Sequence, residues 1–598
     1  MKICYVFSGI YQANIIGQSG VALRLIENIK KYNNDIYLIS NYLSESDNFD
    51  LKGKNNLLLK GPNTLNTYLR NTLKIVSYLR KLHPNILHVR GLLIVPFMWV
   101  INKLFLGYPI VFSIFETPEH LKSHFIYLIA YCINHGDGTF VSSNFIKKKF
   151  VEKGALPEKI FVRYTGIKDK FLVQNKLNST EDNDVLFFGD SSKERGFDIV
   201  CKLAKKMPKV KFKVLLRWQA KNCHIELEKI KNLKNTTIWY YPYKKNLEEI
   251  LSNTKLIILP FRYMGMRPPI SLLEAMALSK CVITSTMGGN KEFINNNKNG
   301  FVMNISKISN IEKKILFLLK NQNVRKKIGD AANRTIRNLY SKNEYKKIAD
   351  YYTYIKEDFY ERRMFDSIGG HHISHKEINL VLRLLNPKEK SVILEVGTGS
   401  GRFARAIVKS SSARVVGVDP DRKILREGKI LKRIFLSRED KDRYTCVIGD
   451  GHALPFGNNT FDKVLCFRVI KYYKDPWKGI DELIRVLKPG GEMVLEITSN
   501  LSWESIVNPL LSFFIKRKQF HHFWEKKMIN FNSISVKKYF MVRNMKITHE
   551  VFLHKMPPAL YSKLNNPIIN NILDAFESVL QYTPKRLFSK SIILRYKK

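Results

Sequence analysis

Ser391–Ala404 reads SVILEVGTGSGRFA. Val392, Ile393, Leu394 and Val396 are apolar, the composition of a strand buried on both faces. Gly397, Gly399 and Gly401 follow at spacing two, and a basic, helix-compatible run begins at Arg402. Glycine has no Cβ, so backbone built from it can approach a bulky ligand closely. A strand feeding a glycine turn and then a helix is the nucleotide-cradling element of a parallel sheet. The dinucleotide-binding fingerprint asks for a further glycine at 402, where this chain has Arg402, and an acid, Glu395, stands two residues before the first glycine.

A chain of 598 residues exceeds what one core supports and implies about three globular units. Lys and Arg number 100 against 52 Asp and Glu, a formal charge of +48. Such a charge draws a protein to anionic partners, whether lipid headgroups, polyphosphates or nucleic acid, although a lysine- and asparagine-rich codon usage produces the same count. No RNA-binding module accompanies it. Cys4, Cys132, Cys201, Cys223, Cys281, Cys446 and Cys466 form no C-x-x-C pair and read as free thiols. MKICYVFSGIYQ is too short and strand-like for a signal peptide, and Gly91–Leu106 is interrupted by Pro96, Asn102 and Lys103. A cytoplasmic protein, peripheral at most to a membrane, is expected.

Lys2–Ser8, Ile36–Ser40, Asn85–His88 and Ile110–Ser113 are short apolar runs separated by helical patterns. A second series begins at Asp184, with strands expected at Val185–Phe188, Phe212–Leu216, Thr237–Trp239, Leu256–Leu259 and Cys281–Thr284. Strand and helix in alternation specify a parallel sheet covered on both faces. Two such halves in tandem leave a cleft at their strand C-termini.

The segments HPNILHVRG (His83–Gly91), KIFVRYTGI (Lys159–Ile167) and LLEAMALSKCVITSTMGGNKEFINNNKNGFV (Leu272–Val302) resemble the retaining nucleotide-sugar glycosyltransferases of the GT-B fold. The resemblance covers roughly residues 1–355. It implies an acceptor-side domain at 1–168, a nucleotide-sugar domain at 169–342, and a crossing helix and linker at 343–372. It assigns Glu274 to the ribose hydroxyls of the donor and Arg195 to its diphosphate, with Arg217, Arg262 and Arg267 as further cations. Gly17 and Gly20 let the first loop approach donor or acceptor, and Gly288 and Gly289 form an anion-meeting turn. Glu116 and His120 are candidates for orienting an acceptor hydroxyl. Two positions depart from the family pattern: Met266 replaces a glutamate eight residues before Glu274, and Asp190 replaces an arginine.

Asn343–Arg363 is expected as one helix. Ser367–Ser374, SIGGHHIS, is the clearest break in composition and is read as the domain boundary, a loop. His371, His372 and His375 have no partner ligands in the sequence, and no metal site is expected.

Beyond it, the glycine loop, ARVVGVDP ending in Asp419 and Pro420, GDGHALPF, FDKV and RVLKPGG follow in order. This set resembles S-adenosylmethionine-dependent methyltransferases of the ubiquinone-biosynthesis-like class, over a domain placed at 373–598. The resemblance implies S-adenosylmethionine as cofactor, held by Glu395, Gly397, Thr398, Gly399, Gly401, Asp419, Pro420, Asp450 and Gly451. Asp419 lies 24 positions after Glu395, about the spacing at which an acid after the second strand reaches a ribose. No base for methyl transfer is readable; His452, His521, His522, His549 and His554 are candidates only. Leu501–Lys598 reads as a helical insert over the acceptor site, or as a lipid-facing helix, followed by a closing strand hairpin.

The expected fold is therefore α/β throughout: two Rossmann-like domains forming a GT-B glycosyltransferase, then a Rossmann-like class I methyltransferase. The expected function is sugar transfer from a nucleotide donor to a glycan or lipid-linked acceptor, coupled to methylation. The alternative is a methyltransferase carrying a non-catalytic glycan-binding module.

Overall fold

The structure is a computed structural model of the chain. It describes residues 1–7, 25–32, 34–40, 56–59, 65–115, 123–164, 167, 171, 183–216, 224–241, 243, 245–262, 269–286, 290–340, 343–357, 359–365, 368–499, 529–553 and 591–598. The chain divides into two compact units, Met1–Tyr352 and Thr353–Lys598.

The first unit contains two sheets. One has strands β1 (Lys2–Phe7), β2 (Asp35–Ser40), β3 (Leu57–Leu58), β4 (Ile86–Arg90), β5 (Ile110–Ile114), β6 (Gly138–Val141) and β7 (Ile160–Val162), in the order β3-β2-β1-β4-β5-β6-β7. Every pair in it is parallel. The other has β8 (Asn183–Gly189), β9 (Phe212–Leu216), β10 (Thr236–Tyr240), β11 (Thr254–Leu259), β12 (Cys281–Ser285) and β13 (Phe301–Met303), ordered β10-β9-β8-β11-β12-β13 and also parallel. β4, β5, β9 and β12 are buried at every residue, His88, Arg90 and Lys213 included, as in strands covered on both faces.

A polar cluster lies inside the first sheet's core. His88 donates or accepts at Nε2 with Ser113 Oγ at 2.6 Å, and its Nδ1 meets the Tyr352 hydroxyl, which lies 2.9 Å from that of Tyr5. Burial, with the nearby Arg90 charge, lowers the His88 pKa to about 3, so the ring is neutral. A dry interior tolerates such groups only when they satisfy one another. Tyr351 donates to the Asp137 carbonyl at 2.5 Å. The two halves of this unit are further joined at the start of the Asn144–Val151 helix. There Glu292 Oε2 accepts from the Asn144 N–H at 2.9 Å and Oε1 from the Phe145 N–H at 2.6 Å. A helix start leaves its first N–H groups without intrahelical partners, and a carboxylate satisfies two of them here.

The second unit is built on one sheet: β14 (Val392–Val396), β15 (Arg414–Asp419), β16 (Tyr444–Ile448), β17 (Phe461–Cys466), β18 (Leu487–Thr498), β19 (Lys546–Leu553) and β20 (Ser591–Lys597), ordered β16-β15-β14-β17-β18-β20-β19. The β18/β20 and β20/β19 pairs are antiparallel and the rest parallel. The Pro-Gly-Gly turn sits at the head of β18, where register with β17 breaks between Phe461 and Lys463 and Gly490 has φ +75°.

Two expectations are corrected. Asn343–Arg363 is not one helix: Asn343–Lys356 ends before a separate Tyr360–Phe365 helix. Ser367–Ser374 is not a loop: from Ile368 it forms the first turns of a helix running to Leu385. Ile373, Glu377, Leu380, Val381 and Leu384 recur at helical spacing and are all buried. Burying that face outweighs the roughly 1 kcal/mol that a glycine costs inside a helix. Gly17, Gly20, Glu116, His120, Arg217, Met266, Arg267, Gly288, Gly289, His521, His522 and His554, singled out in the sequence, lie outside the described residues.

Replacing Tyr352 with Phe removes the hydroxyl shared by Tyr5 and His88 and leaves both short of a partner in the core. The expected loss is about 1–3 kcal/mol, read as a lower urea midpoint for the unfolding step of the first unit.

Candidate functional site

In an open parallel sheet the helices on either side of the point where strand order reverses diverge, and a crevice opens at the strand C-termini. The reversal falls between β1 and β4, between β8 and β11, and between β14 and β17 in the three sheets.

In the third sheet the Gly397–Gly401 loop leaves β14 at that point. Gly397 has φ +68°, and a Cβ there would run into Val469 beyond β17, so the loop is pressed against the reversal. Gly399 has φ +53°, and a Cβ on it would meet only Ile424 Cγ2, at 3.6 Å. The outer side of this residue is therefore open, and its bare backbone faces the gap. Asp419 closes the other side. Its Oδ2 accepts from the Gly399 N–H at 2.9 Å and its Oδ1 from the Asp421 N–H at 2.9 Å. Each oxygen keeps further acceptor capacity. Burial raises the Asp419 pKa, against the two N–H donors. Pro420 follows directly.

Glu395 and Thr398 face each other beneath the loop. The Thr398 hydroxyl donates to Glu395 Oε2 at 2.8 Å, and the Ala404 N–H, in the first turn of the Arg402–Ser410 helix, donates to the same oxygen at 3.0 Å. Glu395 is 3% exposed, and burial pushes its pKa up to about 7. These side chains hold the loop's shape from inside, leaving backbone to face the crevice.

Residues that sequence reasoning missed surround the same loop. Glu361, on the Tyr360–Phe365 helix, bonds the Ser400 hydroxyl at 2.5 Å and Arg405 Nη2 at 2.5 and 2.7 Å. Burial opposes ionisation of Glu361, but the Arg405 charge outweighs it and holds the carboxyl below its usual range. Glu377, fully buried, takes Arg402 Nη2 at 2.7 Å and also Arg468. The Arg402 guanidinium lies 4.3 Å from the Phe365 ring centre and 4.2 Å from that of Phe403. The signal was present: an arginine in place of the expected third glycine needs a carboxylate partner if its helix packs inward.

Asp450 and Gly451 follow β16. Asp450 is mostly exposed, and its Oδ1 accepts from the His452 backbone N–H at 2.9 Å and contacts His452 Nδ1 at 2.8 Å. Those two bonds lower its pKa. The His452 ring lies against Tyr473, with centres 4.5 Å apart, and a Cβ at Gly451 would collide with the Tyr473 hydroxyl. His549 is exposed on β19.

In the second sheet, the turn after β8 meets the segment after β11. A Cβ at Gly196 would strike the Pro260 carbonyl, and the Arg262 N–H donates to the Glu194 carbonyl at 2.8 Å. Arg195 stands in this crevice, its guanidinium 5.7 Å from the Phe261 ring centre and its Nε 3.0 Å from Asp190 Oδ2. The departure from the family pattern thus pairs with the expected diphosphate cation. Arg262 is held by Asp198 at 2.5 and 3.2 Å. Glu274 is buried on the Ile270–Ala277 helix, 5% exposed. In the first sheet, Arg90 ends β4, with its guanidinium 5.9 Å from the Phe7 ring centre and 5.0 Å from that of Phe115. Among the described residues no cluster of His, Cys, Asp and Glu is arranged to hold a metal.

Residues 169–335 match the family of glycosyl transferases group 1, and residues 394–495 match a methyltransferase domain family. A demethylmenaquinone methyltransferase of Clavibacter sepedonicus is 34% identical over 113 residues, 19% of this chain and 43% of that protein. An uncharacterized methyltransferase of Mycobacterium leprae is 34% identical over 113 residues, 19% of this chain and 39% of its own. The chain thus spans about two fifths of the length of the curated relatives it matches. Anabaena Alr3699/HepE, solved with UDP, superposes with a TM-score of 0.50 and 14% identity over 59% of this chain and 100% of its own. Sucrose-phosphate synthase of Thermosynechococcus elongatus gives a TM-score of 0.50 and 13% identity over 59% of this chain and 98% of its own. The first part of the chain has the two-sheet GT-B fold of these neighbours.

A carboxyl with a raised pKa keeps its proton in the folded state to about pH 7, whereas an unfolded glutamate releases it near its ordinary 4.5. The folded state then binds more protons between those values, so stability falls as pH rises from 4.5 to 7 and levels off above 7, by about 3 kcal/mol at most. Glu395→Gln keeps an acceptor for Thr398 and Ala404 and removes the titration. Urea midpoints between pH 5 and 8 are expected to decline in the parent and to show that part of the slope lost in the variant.

Proposed function

Because this chain joins a group 1 glycosyltransferase domain to a methyltransferase domain, we propose that it is a bifunctional enzyme of cell-surface glycan or glycolipid assembly. The first part, with an acceptor-side domain at 1–168 and a donor domain at 169–342, transfers a sugar from a nucleotide donor to a glycan or lipid-linked acceptor. The 343–372 segment links it to residues 373–598, which methylate a hydroxyl of that sugar or a neighbour. A product of one site is presented to the other at raised local concentration. The setting proposed is the cytoplasm, at the membrane face.

The observation that carries the reading is the pairing of an open glycine backbone at Gly399 with the Asp419 carboxylate at the C-terminal ends of β14 and β15, beside the β14/β17 reversal. These residues fit S-adenosylmethionine: the gap over Gly399 accepts the bulk of the ligand, and Asp419 offers acceptors to two vicinal ribose hydroxyls. Asp450, exposed beyond β16, offers one to an adenine amino group. When bound, the cofactor supplies an electrophilic methyl group. The residues around it would fix its position and exclude water. In the first part, Glu274 binds the donor's ribose, and Arg195 with Arg267 offsets the charge of the leaving diphosphate. Gly17 and Gly20 are assigned the first loop's approach to donor or acceptor, and Glu116 or His120 the orientation of the acceptor.

The Asp190–Arg195 ion pair motivates a second reading, in which the first part binds glycan without transferring sugar and delivers it to the methyltransferase. Calorimetric titration of the full chain with UDP and with GDP separates the two. Under the first reading Arg195→Ala weakens one of them, and Asp190→Asn, which releases Arg195 from its carboxylate, tightens it several-fold, the scale of a partly exposed ion pair. Under the second reading neither nucleotide binds and neither substitution matters.

For the methyltransferase half, Asp419→Ala is expected to weaken S-adenosylmethionine binding by about tenfold or more, the worth of a charged hydrogen-bond acceptor. Transfer of labelled methyl to a membrane-lipid extract supplied with nucleotide sugars falls with it. Unchanged affinity in the variant would remove the basis of the cofactor assignment.

A further inference from the structure

Residues 51–115 contain nine Lys and Arg and no Asp or Glu. This stretch supplies the Thr72–Leu82 and Val95–Ile101 helices and the Asn102–Leu106 helical turn that continues the latter. Next to them packs the Ser123–His135 helix, SHFIYLIAYCINH, which also has no acid and no Lys or Arg. A helix on the surface of a water-soluble domain ordinarily turns charged residues outward. This one turns out Tyr127, Leu128 and Tyr131, each 44–54% exposed. The adjoining helix and turn expose Val100, Leu104 and Phe105, with Leu104 at 68%. The two groups are continuous, because the Trp99 and Tyr131 rings meet edge to face with centres 5.5 Å apart.

Basic side chains border this apolar face. Lys103 is exposed on the turn itself. Arg80 reaches the Phe105 carbonyl at 3.3 Å, and Lys153 lies 5.3 Å from the Tyr127 ring centre. Glu152 is the acid nearest in sequence to that lysine, and it pairs with Lys149 at 3.7 Å. Exposed aromatics and leucines edged by lysines form the pattern of a surface that lies on a bilayer, apolar side chains entering the headgroup boundary and cations meeting anionic lipid. A second copy of this chain is a poor match for the same face, since it would bring one positive rim against another. Among the described residues no helix is long and apolar enough to cross a membrane.

We propose that the face formed by Val100, Leu104, Phe105, Tyr127, Leu128 and Tyr131, with Lys103 and Lys153 at its border, docks the protein on an anionic lipid bilayer. This rests on the membrane-face setting given above and names the surface responsible. Occupied in this way, the acceptor-side domain meets lipid-linked acceptors by diffusion in two dimensions.

The test is sedimentation of the full-length protein with phosphatidylcholine vesicles that contain or lack phosphatidylglycerol. Capture is expected only with the anionic vesicles and is expected to weaken in high salt. Lys103→Gln and Lys153→Gln each lower the partition coefficient roughly fivefold. Phe105→Ser combined with Tyr131→Ser abolishes capture at an unchanged thermal midpoint. Equal capture by both vesicle types, capture by neither, or binding to single-stranded RNA without binding to vesicles overturns the proposal. So does a dimer in sedimentation velocity that the double serine variant converts to monomer. Nucleotide titration of the same variants tests the transferase reading separately, because none of the substituted residues belongs to the three crevices.

Discussion

A parallel sheet brings the C-terminal ends of all its strands to one edge. Where strand order reverses, the covering helices part and leave backbone uncovered. That constraint acts three times here, at β1/β4, β8/β11 and β14/β17. Three charged groups, Arg90, Arg195 and Asp419, stand beside these reversals. Arg90 ends a strand at the reversal, Arg195 stands on the turn leaving β8, and Asp419 ends the strand beside β14.

What distinguishes the second unit is how many buried carboxyl groups hold one glycine loop. Glu395 grips it from below, Glu361 and Glu377 bind the arginines of its helix, and Asp419 fixes its tip. Without their hydrogen-bond or ion-pair partners, each of these carboxyl groups would be costly in a dry interior. Paired, they set the loop's backbone in one shape before any ligand arrives, and a preset site loses less on binding. Two of the four, Glu361 and Glu377, come from helices that precede the segment matching the methyltransferase family, so the functional unit extends beyond the matched residues.

Much of the sheet architecture was legible because strands covered on both faces read as unbroken apolar runs. Phe212–Leu216 has the bounds expected of it, and β8, β11 and β12 differ from expectation by a residue or two at their ends. The glycine loop and Asp419 were legible because their spacing is local. The ion pairs were not: Glu361 lies 44 positions from Arg405 and Glu377 lies 91 from Arg468, and no periodicity links such partners. The start of the long helix at Ile368 was hidden by adjacent glycines and histidines, whose weak local preference was overruled by the apolar face that begins at Ile373. Asp190 read only as a departure from the family pattern, and the fold brings its carboxylate to Arg195.

Glu292 shows a different economy. It meets residues 144 and 145 through their main-chain amides, not their side chains, and also accepts from the Tyr164 hydroxyl at 3.4 Å. Exchanging either side chain leaves the amide in place, unless the newcomer is proline, which has none. At residues 144 and 145 the seam can therefore absorb wide sequence drift, and almost none at the acidic position that faces them.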